Sequence, residues 1–224
     1  KGRKGKPIIY RICMRYQAET PRQEGLYTPH TESDACGTGF IANLTGDPSH
    51  KLVTDALTML INMEHRGACG CEPNSGDGAG ILVQVPHDFF ARKLAEKSKE
   101  LTEKGKYGVG MMFLPAEKQL LERCLYLFED YADEMGFDLI HYRKVPTDHE
   151  ELGPTSKSVE PRFQQVFVRP RVELDPKDLE RKLYVLRKYA THKIHTTYPE
   201  TSDQFYLASF SYKTIAYKGQ LTTW

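Results

Sequence analysis

The chain has 224 residues, of which 39% are hydrophobic and 27% charged, so it is long and apolar enough to fold around a sizeable core. Its 31 Lys and Arg residues nearly balance its 30 Asp and Glu residues, which leaves no excess positive charge for a polyanion and predicts no nucleic-acid partner. No apolar run approaches the roughly 20 residues that span a bilayer, so we expect a soluble protein without a membrane segment.

The two ends of the chain and its cysteines give further limits. Residues 1–35 begin with a basic run and scatter Pro and Gly among polar residues, which is typical of a leader or linker. Because the chain lacks an initiator Met and stops at Trp224, we expect it to be a piece of something longer. The 5 cysteines are an odd number, which favours free thiols in a reducing compartment over a disulfide framework.

Strands and helices are predicted in turn from residue 37 onward. In chain order, the first half contains a short strand opened by glycines at 37–42, a capping turn at 46–49, a helix at 50–63, a glycine-rich loop at 66–80, a strand at 81–85 and a helix at 86–97. The helix at 50–63 repeats its apolar residues at helical spacing, so its apolar face should pack on a sheet.

The second half continues this mixed order. It is predicted to contain a strand at 107–114, a helix after Pro115 that Gly136 ends, a strand at 137–143, a loop at 153–161, a strand at 163–169, a helix capped by Asp175, two β-rich runs at 204–210 and 211–217 that could pair, and a turn at Lys218 and Gly219. Tyr126 and Tyr131 are expected in the core. The pattern as a whole favours an α+β sandwich.

Cys36 is the first candidate for chemistry. It lies among small or flexible residues, Asp-Ala-Cys-Gly-Thr-Gly-Phe at 34–40, at the entrance of the predicted strand. The glycines that follow it allow a bound group or another backbone to approach the sulfur closely. Taken alone, a single cysteine is more often a small buried hydrophobic residue, so this position needs support from elsewhere.

The glycine-rich loop that begins after His65 has three competing interpretations. The first is phosphate binding, which is disfavoured because the loop lacks the Gly-Lys-Ser/Thr ending of a phosphate loop and the strand-then-helix order of a dinucleotide turn. Cys69 and Cys71 could join His65 in a metal site, but no second ligand pair follows at zinc spacing. In the third interpretation Arg66 is a fixed guanidinium and Asp77 a carboxylate that braces the loop beside an active site. A surface turn held by a salt bridge is the alternative.

Three segments together carry a resemblance to a known family: Asp-Ala-Cys-Gly-Thr-Gly-Phe at 34–40, His-Arg-Gly-Ala at 65–68 and Asn-Ser-Gly-Asp-Gly-Ala-Gly at 74–80. In this order they closely resemble the amino-terminal domain of the glutamate synthase large subunit, a class II glutamine amidotransferase. Residues 158–168 and 205–211 are also similar to that family, and the likeness extends over about residues 26–219.

The resemblance implies a fold and a maturation step. The fold is the four-layer αββα sandwich of the amino-terminal-nucleophile hydrolases, an α+β class, here truncated at the C-terminus. Residues 1–35 would be a propeptide or leader, and residues 36–224 a partial amidotransferase domain. Removal of the leader would make Cys36 the first residue, whose own α-amino group, with a reference pKa of about 8, can take the thiol proton. No histidine base is then required.

The resemblance also implies a reaction and the residues for it. Cys36 would attack the side-chain amide of glutamine and release ammonia, while Arg66, Gly67, Asp77 and Gly78 would bind the substrate or order the nucleophile. This segment itself is expected to hold no metal and no cofactor. In the full-length enzyme the ammonia would meet 2-oxoglutarate, with FMN and an iron-sulfur cluster as cofactors, and with FAD and NAD(P)H in a partner subunit or domain unless ferredoxin is the electron donor.

The implied partners are glutamine, the synthase and flavin domains of the same polypeptide and a small NAD(P)H-oxidising subunit, in the cytoplasm or a plastid. The family places a second arginine and an Asn-Gly oxyanion pair beyond the position of Lys218 and Gly219. This sequence ends at Trp224, before those residues. Because an oxyanion donor stabilises the transition state by about 3 kcal/mol, we expect this chain alone to hydrolyse glutamine poorly or not at all.

Two alternatives stay open. One is another class II amidotransferase, such as those that make phosphoribosylamine, glucosamine phosphate or asparagine, although the loop at 76–80 favours glutamate synthase. The other is a catalytically silent interaction module that keeps its leader, with Cys36 unprocessed and internal.

Overall fold

The computed structural model describes residues 37–66, 72 and 74–222, and for Arg66, Asp77, Gln220 and Leu221 it describes the backbone only. The chain divides into two units, residues 1–37 and 38–224, and the elements named here belong to the second. The strands are β1 Ser75–Gln84, β2 Gly108–Leu114, β3 Phe137–Lys144, β4 Arg162–Pro170, β5 Tyr206–Ser211 and β6 Thr214–Leu221. The α-helices are α1 His50–Asn62, α2 His87–Ala95, α3 Lys118–Glu134, α4 Pro154–Ser158 and α5 Pro176–Thr197, with short 3-10 helices at Glu64–Arg66 and Pro199–Thr201.

The strands form two antiparallel sheets. One has four strands in the order β3-β4-β2-β5, and the other pairs β1 with β6. Because helices and antiparallel sheets occur in mixed order along the chain, the predicted α+β class is confirmed.

Helices α3 and α5 cover one face of the four-stranded sheet. Their apolar residues recur at helical spacing, and those that face the sheet are fully or almost fully buried: Leu121, Cys124 and Phe128 on α3, and Leu179, Leu183 and Leu186 on α5. They pack on Met112 and Leu114 of β2 and on Val166 and Val168 of β4. Asp175 caps α5 as predicted, since its side chain accepts hydrogen bonds from the N–H groups of Lys177 and Asp178.

The opposite face of the four-stranded sheet packs on the second sheet and on α2. Val109 and Met111 of β2 alternate with the residues that face the helices, as strand periodicity requires. They share a buried cluster with Phe90 and Leu94 of α2 and with Ile215 of β6. A helix layer, the four-stranded sheet and the two-stranded sheet therefore lie in this order.

Helix α1 forms where the sequence predicts it. Ser49 caps it, with its Oγ accepting from the N–H of Lys51 at 3.2 Å. The helix contacts β1, but none of its residues is fully buried, and Leu57 and Ile61 are 44% and 46% exposed. The expectation that its apolar face packs on a sheet is therefore met only in part.

Two predictions at the start of the domain were wrong. Residues 37–42, predicted as a strand, have no regular structure, because none of the strands described pairs with them and an isolated strand has no partner for its backbone groups. Residues 75–80, predicted as part of a loop, form the first half of β1, where pairing with β6 outweighs the weak strand propensity of glycine.

Four further predictions were wrong in the second half. The runs at 204–210 and 211–217 do not pair, because β5 joins β2 while β6 joins β1, and Lys218 and Gly219 lie within β6 rather than in a turn. The predicted loop at 153–161 contains the short helix α4, which has Pro154 in its first turn. Tyr126 is 69% exposed on the outer side of α3 rather than in the core.

Throughout the part of the chain that the structure describes, no helix combines the length and the apolar character that crossing a bilayer requires.

Candidate active site

The structure describes the predicted site residues to different extents. Cys36 and Gly67 lie outside the described residues. Arg66 ends the short 3-10 helix after α1, and Asp77 lies in β1, both described by their backbone alone. Gly78 is described fully. The elements that carry these residues can therefore be located, whereas the contacts of Cys36 itself stay a prediction.

The segment after Cys36 runs beside α1. A Cβ atom built on Gly39 would lie 2.6 Å from the sulfur of Met59, so only a glycine fits there without moving that side chain. Phe40 is 90% exposed. Helix α1 leads directly to the 3-10 helix that ends at Arg66, so the residues following Cys36 and those preceding Arg66 flank the same helix.

His65 takes part in ending α1. Its Nδ1 lies 3.1 Å from the carbonyl oxygen of Asn62, and since a carbonyl can only accept, this nitrogen carries the proton. Among the residues described, no three His, Cys, Asp or Glu side chains come together as a metal site would need. The two cysteines of the metal interpretation, Cys69 and Cys71, lie outside those residues.

Asp77 and Gly78 lie in a bulge at the beginning of β1. Ser75 pairs with Leu221 of β6 and Ala79 with Gly219, so β1 carries extra residues between these two pairs. Gly78 has φ +117°, a conformation that side chains rarely allow, which explains a glycine at this position. Bulges redirect the side chains of the strand that carries them and are frequent next to active sites.

Glu72 ties the glycine-rich segment to the turn that begins α4. Its carboxylate accepts hydrogen bonds from the backbone N–H of Thr155 at 2.9 Å and of Ser156 at 3.2 Å, and from the Ser156 hydroxyl at 3.4 Å. Hydrogen bonds from the Thr155 side chain and then from its backbone hold the pKa of Glu72 below its usual value. The carboxylate is therefore a cap for α4 that comes from a distant part of the chain.

Asn74 makes a second connection to the same turn. Its side-chain amide donates to the carbonyl oxygen of Glu151 at 3.2 Å, and its backbone has φ +60°, which Asn tolerates better than most residues. The Ser75 hydroxyl donates to the carbonyl of Glu72 at 3.0 Å and closes the turn between them. The entry to β1 is thus fixed at both Glu72 and Asn74.

Sequence analysis missed Glu72, although it lies within the glycine-rich loop. That loop was expected to be braced by Asp77, whose side chain lies outside the description, and Glu72 is a bracing carboxylate that the sequence did not indicate. Proline is common in the first turn of a helix, yet residues 153–161 were predicted as a loop, and only the folded chain shows a helix there whose cap comes from 83 positions earlier.

Among the residues that the structure describes, Cys124 is the one cysteine. It is fully buried on α3, and burial, with a smaller contribution from the charge of Glu200, raises the pKa of its thiol to about 11. Because the thiolate is the nucleophile, this cysteine is held in its unreactive form.

The chain belongs to the class II glutamine amidotransferases. The model of that family matches residues 36–224, so the match begins at Cys36.

Among curated proteins, the chain is similar to several glutamate synthases. It is 40% identical over 212 residues to the NADH glutamate synthase of Saccharomyces cerevisiae and 39% identical over 205 residues to the large chain of the NADPH glutamate synthase of Bacillus subtilis. It is 42% identical over 198 residues to the ferredoxin-dependent glutamate synthase of Antithamnion sp.. These matches cover 90%, 91% and 85% of this chain but only 10%, 13% and 12% of those proteins.

Proposed function

We propose that the chain is the glutaminase part of a glutamate synthase, with residues 1–35 as a propeptide and Cys36 as the nucleophile after its removal. The observation that carries the proposal is the family match, which starts at Cys36 and extends to residue 224. The names of the similar proteins support the assignment to glutamate synthase rather than to another amidotransferase.

The proposed reaction uses both functional groups of one residue. The free α-amino group of Cys36 takes the thiol proton, and the sulfur attacks the side-chain amide carbon of glutamine. The carbon–nitrogen bond then breaks, the amino group returns the proton, and ammonia leaves. Water attacks the remaining thioester, which releases glutamate and restores the thiol.

We assign the surrounding residues to binding and order. Arg66 would hold Cys36 and its loop in place, and Gly67, Asp77 and Gly78 would form the wall on which glutamine lies. The position of Asp77 and Gly78 in the β1 bulge supports this role. We further propose that the complete domain is the four-layer αββα sandwich, with the helix layer and two sheets described above as three of its layers.

The rest of the reaction would take place outside this segment. Ammonia would be combined with 2-oxoglutarate by synthase domains that carry FMN and an iron-sulfur cluster. The names of the similar proteins contain three different electron donors, NADH, NADPH and ferredoxin. The donor would therefore be determined by parts of the enzyme outside this segment. FAD and NAD(P)H would belong to a partner subunit or domain where ferredoxin is not used, and the compartment would be the cytoplasm or a plastid.

The proposal is tested by glutamine hydrolysis in the full-length protein. Cys36→Ser should lower glutamate release from glutamine to the background rate, because a hydroxyl with a much higher pKa than a thiol is a far weaker nucleophile here. Cys124→Ser is the matched control and should retain activity once folding has been verified by circular dichroism. Full activity of Cys36→Ser would refute the assignment.

A further inference from the structure

We infer that Glu72 is a positioning residue, which fixes the entry to β1 against the turn at 151–156 and so keeps the β1 bulge at Asp77 and Gly78 in its active arrangement. The inference rests on the proposed function, because it gives these residues their role.

The position of Glu72 in the chain suits it to this task. It lies between Arg66 and Asp77, near the middle of the stretch that joins the two predicted site residues. Five of the residues 66–80 are glycines, which have no side chain to pack and allow the backbone many conformations. The hydrogen bonds of Glu72 and Asn74 to the facing turn supply fixed points within this stretch.

The facing turn is itself braced. The Lys157 ammonium donates to the carbonyl oxygen of Glu150 at 3.0 Å, and His149 lies 3.6 Å from the carboxylate of Glu160. Helix α4 is followed after a few residues by β4, a central strand of the four-stranded sheet. Glu72 therefore connects the entry of β1 to a turn that leads into a central strand of the four-stranded sheet.

Gly153 shows how closely the two segments approach. A Cβ atom built at this position would overlap the Glu72 carboxylate. Glu72 and Gly153 are thus two sides of one contact. Removing the carboxylate at position 72, or adding a side chain at position 153, would open it. This gives two independent ways to break the same contact.

The expected consequence is a loss of turnover much larger than the loss of stability. Catalysis depends on reacting groups held in place, and a displacement of about 1 Å can cost about a hundredfold in rate. The Glu72 carboxylate is half-buried and caps one short helix, so its removal should lower the melting temperature of the domain by only about 2 to 4 °C and leave the domain folded in the assay.

The test uses the full-length enzyme and three variants. Glu72→Ala and Gly153→Ala should each lower kcat for glutamine hydrolysis by about tenfold or more, with the KM for glutamine changed less than kcat. Labelling of Cys36 by the glutamine-like electrophile diazo-oxonorleucine should slow in parallel. Glu151→Ala is the matched control, because Glu151 contributes its backbone carbonyl to this contact, and it should behave as wild type.

Two further results make the test specific. The double variant Glu72→Ala with Gly153→Ala should be no slower than the worse single variant, because both remove one contact. Glu72→Gln should be intermediate, since one amide oxygen can still accept from Thr155 while the amide nitrogen faces the Ser156 N–H.

The outcomes separate the inference from the proposed function. Additive losses in the double variant, single variants as fast as wild type, or losses that disappear when the assay temperature is lowered well below the melting temperature of the variants would overturn the role of Glu72. If the wild-type enzyme is not labelled at Cys36, the proposed function itself fails, and the inference fails with it.

Discussion

Gln165 links the two sheets inside the domain, and its removal should weaken the whole fold. It lies on β4 and is fully buried between the sheets. Its Nε2 donates to the hydroxyl of Tyr217 on β6 at 2.9 Å, and its Oε1 accepts from the guanidinium of Arg143 on β3 at 2.8 Å. Gln165→Leu would keep the volume approximately and remove both hydrogen bonds.

The size of the effect follows from the partners that are left behind. A buried group that loses its hydrogen-bond partner costs about 1 to 3 kcal/mol. Tyr217 and Arg143 are only half-buried, so water can satisfy part of each, and we expect Gln165→Leu to lower the free energy of unfolding by about 2 to 3 kcal/mol. Tyr217→Phe should cost about 1 to 2 kcal/mol for the same reason.

Urea unfolding followed by circular dichroism measures both values, with Gln119→Leu on the surface of α3 as the control for the same chemical change. In the double variant Gln165→Leu with Tyr217→Phe the two losses of unfolding free energy should not add, and the coupling between the two sites should be about 0.5 kcal/mol or more. Additive losses, or a Gln165→Leu effect as small as that of the control, would refute the reasoning.

Three smaller predictions concern single positions. With a thiol pKa of about 11, Cys124 should resist iodoacetamide at pH 8 in the native chain and react only after unfolding. Peptide mass mapping would show this, and labelling at equal rates in both states would contradict the burial of Cys124. Gly136→Ala should cost about 1 kcal/mol in urea unfolding because φ is +78°, and a neutral result would contradict that conformation. Asp175→Ala should lower the midpoint of urea unfolding, and Asp175→Asn should lower it much less, because Asn can also cap; equal losses would argue against capping.

The helices of the second half could be predicted because their signals are local. Asp175 followed by proline marks the start of α5, and leucines at helical spacing mark its buried face. Gly136, with its positive φ, likewise marks the end of α3. Such signals depend on neighbours a few positions away, and tertiary structure did not override them.

The predictions that failed depended on distant partners. The residues at 75–80 contain several glycines and look like a loop, yet pairing with β6 makes them a strand. The runs at 204–210 and 211–217 look like a hairpin, yet each joins an earlier strand in a different sheet. Propensity cannot show which strands will meet, because that choice is made by the packing of the whole domain.

The motifs of the candidate site can be recognised in the sequence, whereas the contact of Glu72 with a distant turn cannot. The motifs around Cys36, Arg66 and Asp77 lie in short segments that can be recognised directly. Glu72 was not recognised, because its partners Thr155 and Ser156 lie far along the chain. A lone carboxylate in a flexible stretch becomes a fixed point only when the fold brings a helix start to it.

The most direct test of the central claim is the identity of the first residue and of the labelled residue in active full-length enzyme purified from its own cells. Amino-terminal sequencing and peptide mass mapping after treatment with diazo-oxonorleucine would give both. We expect the mature protein to begin at Cys36, with one adduct on that residue and activity lost in proportion to it. An active enzyme that still carries residues ahead of Cys36, or an adduct on another thiol, would contradict the proposal that Cys36 supplies both the nucleophile and its base.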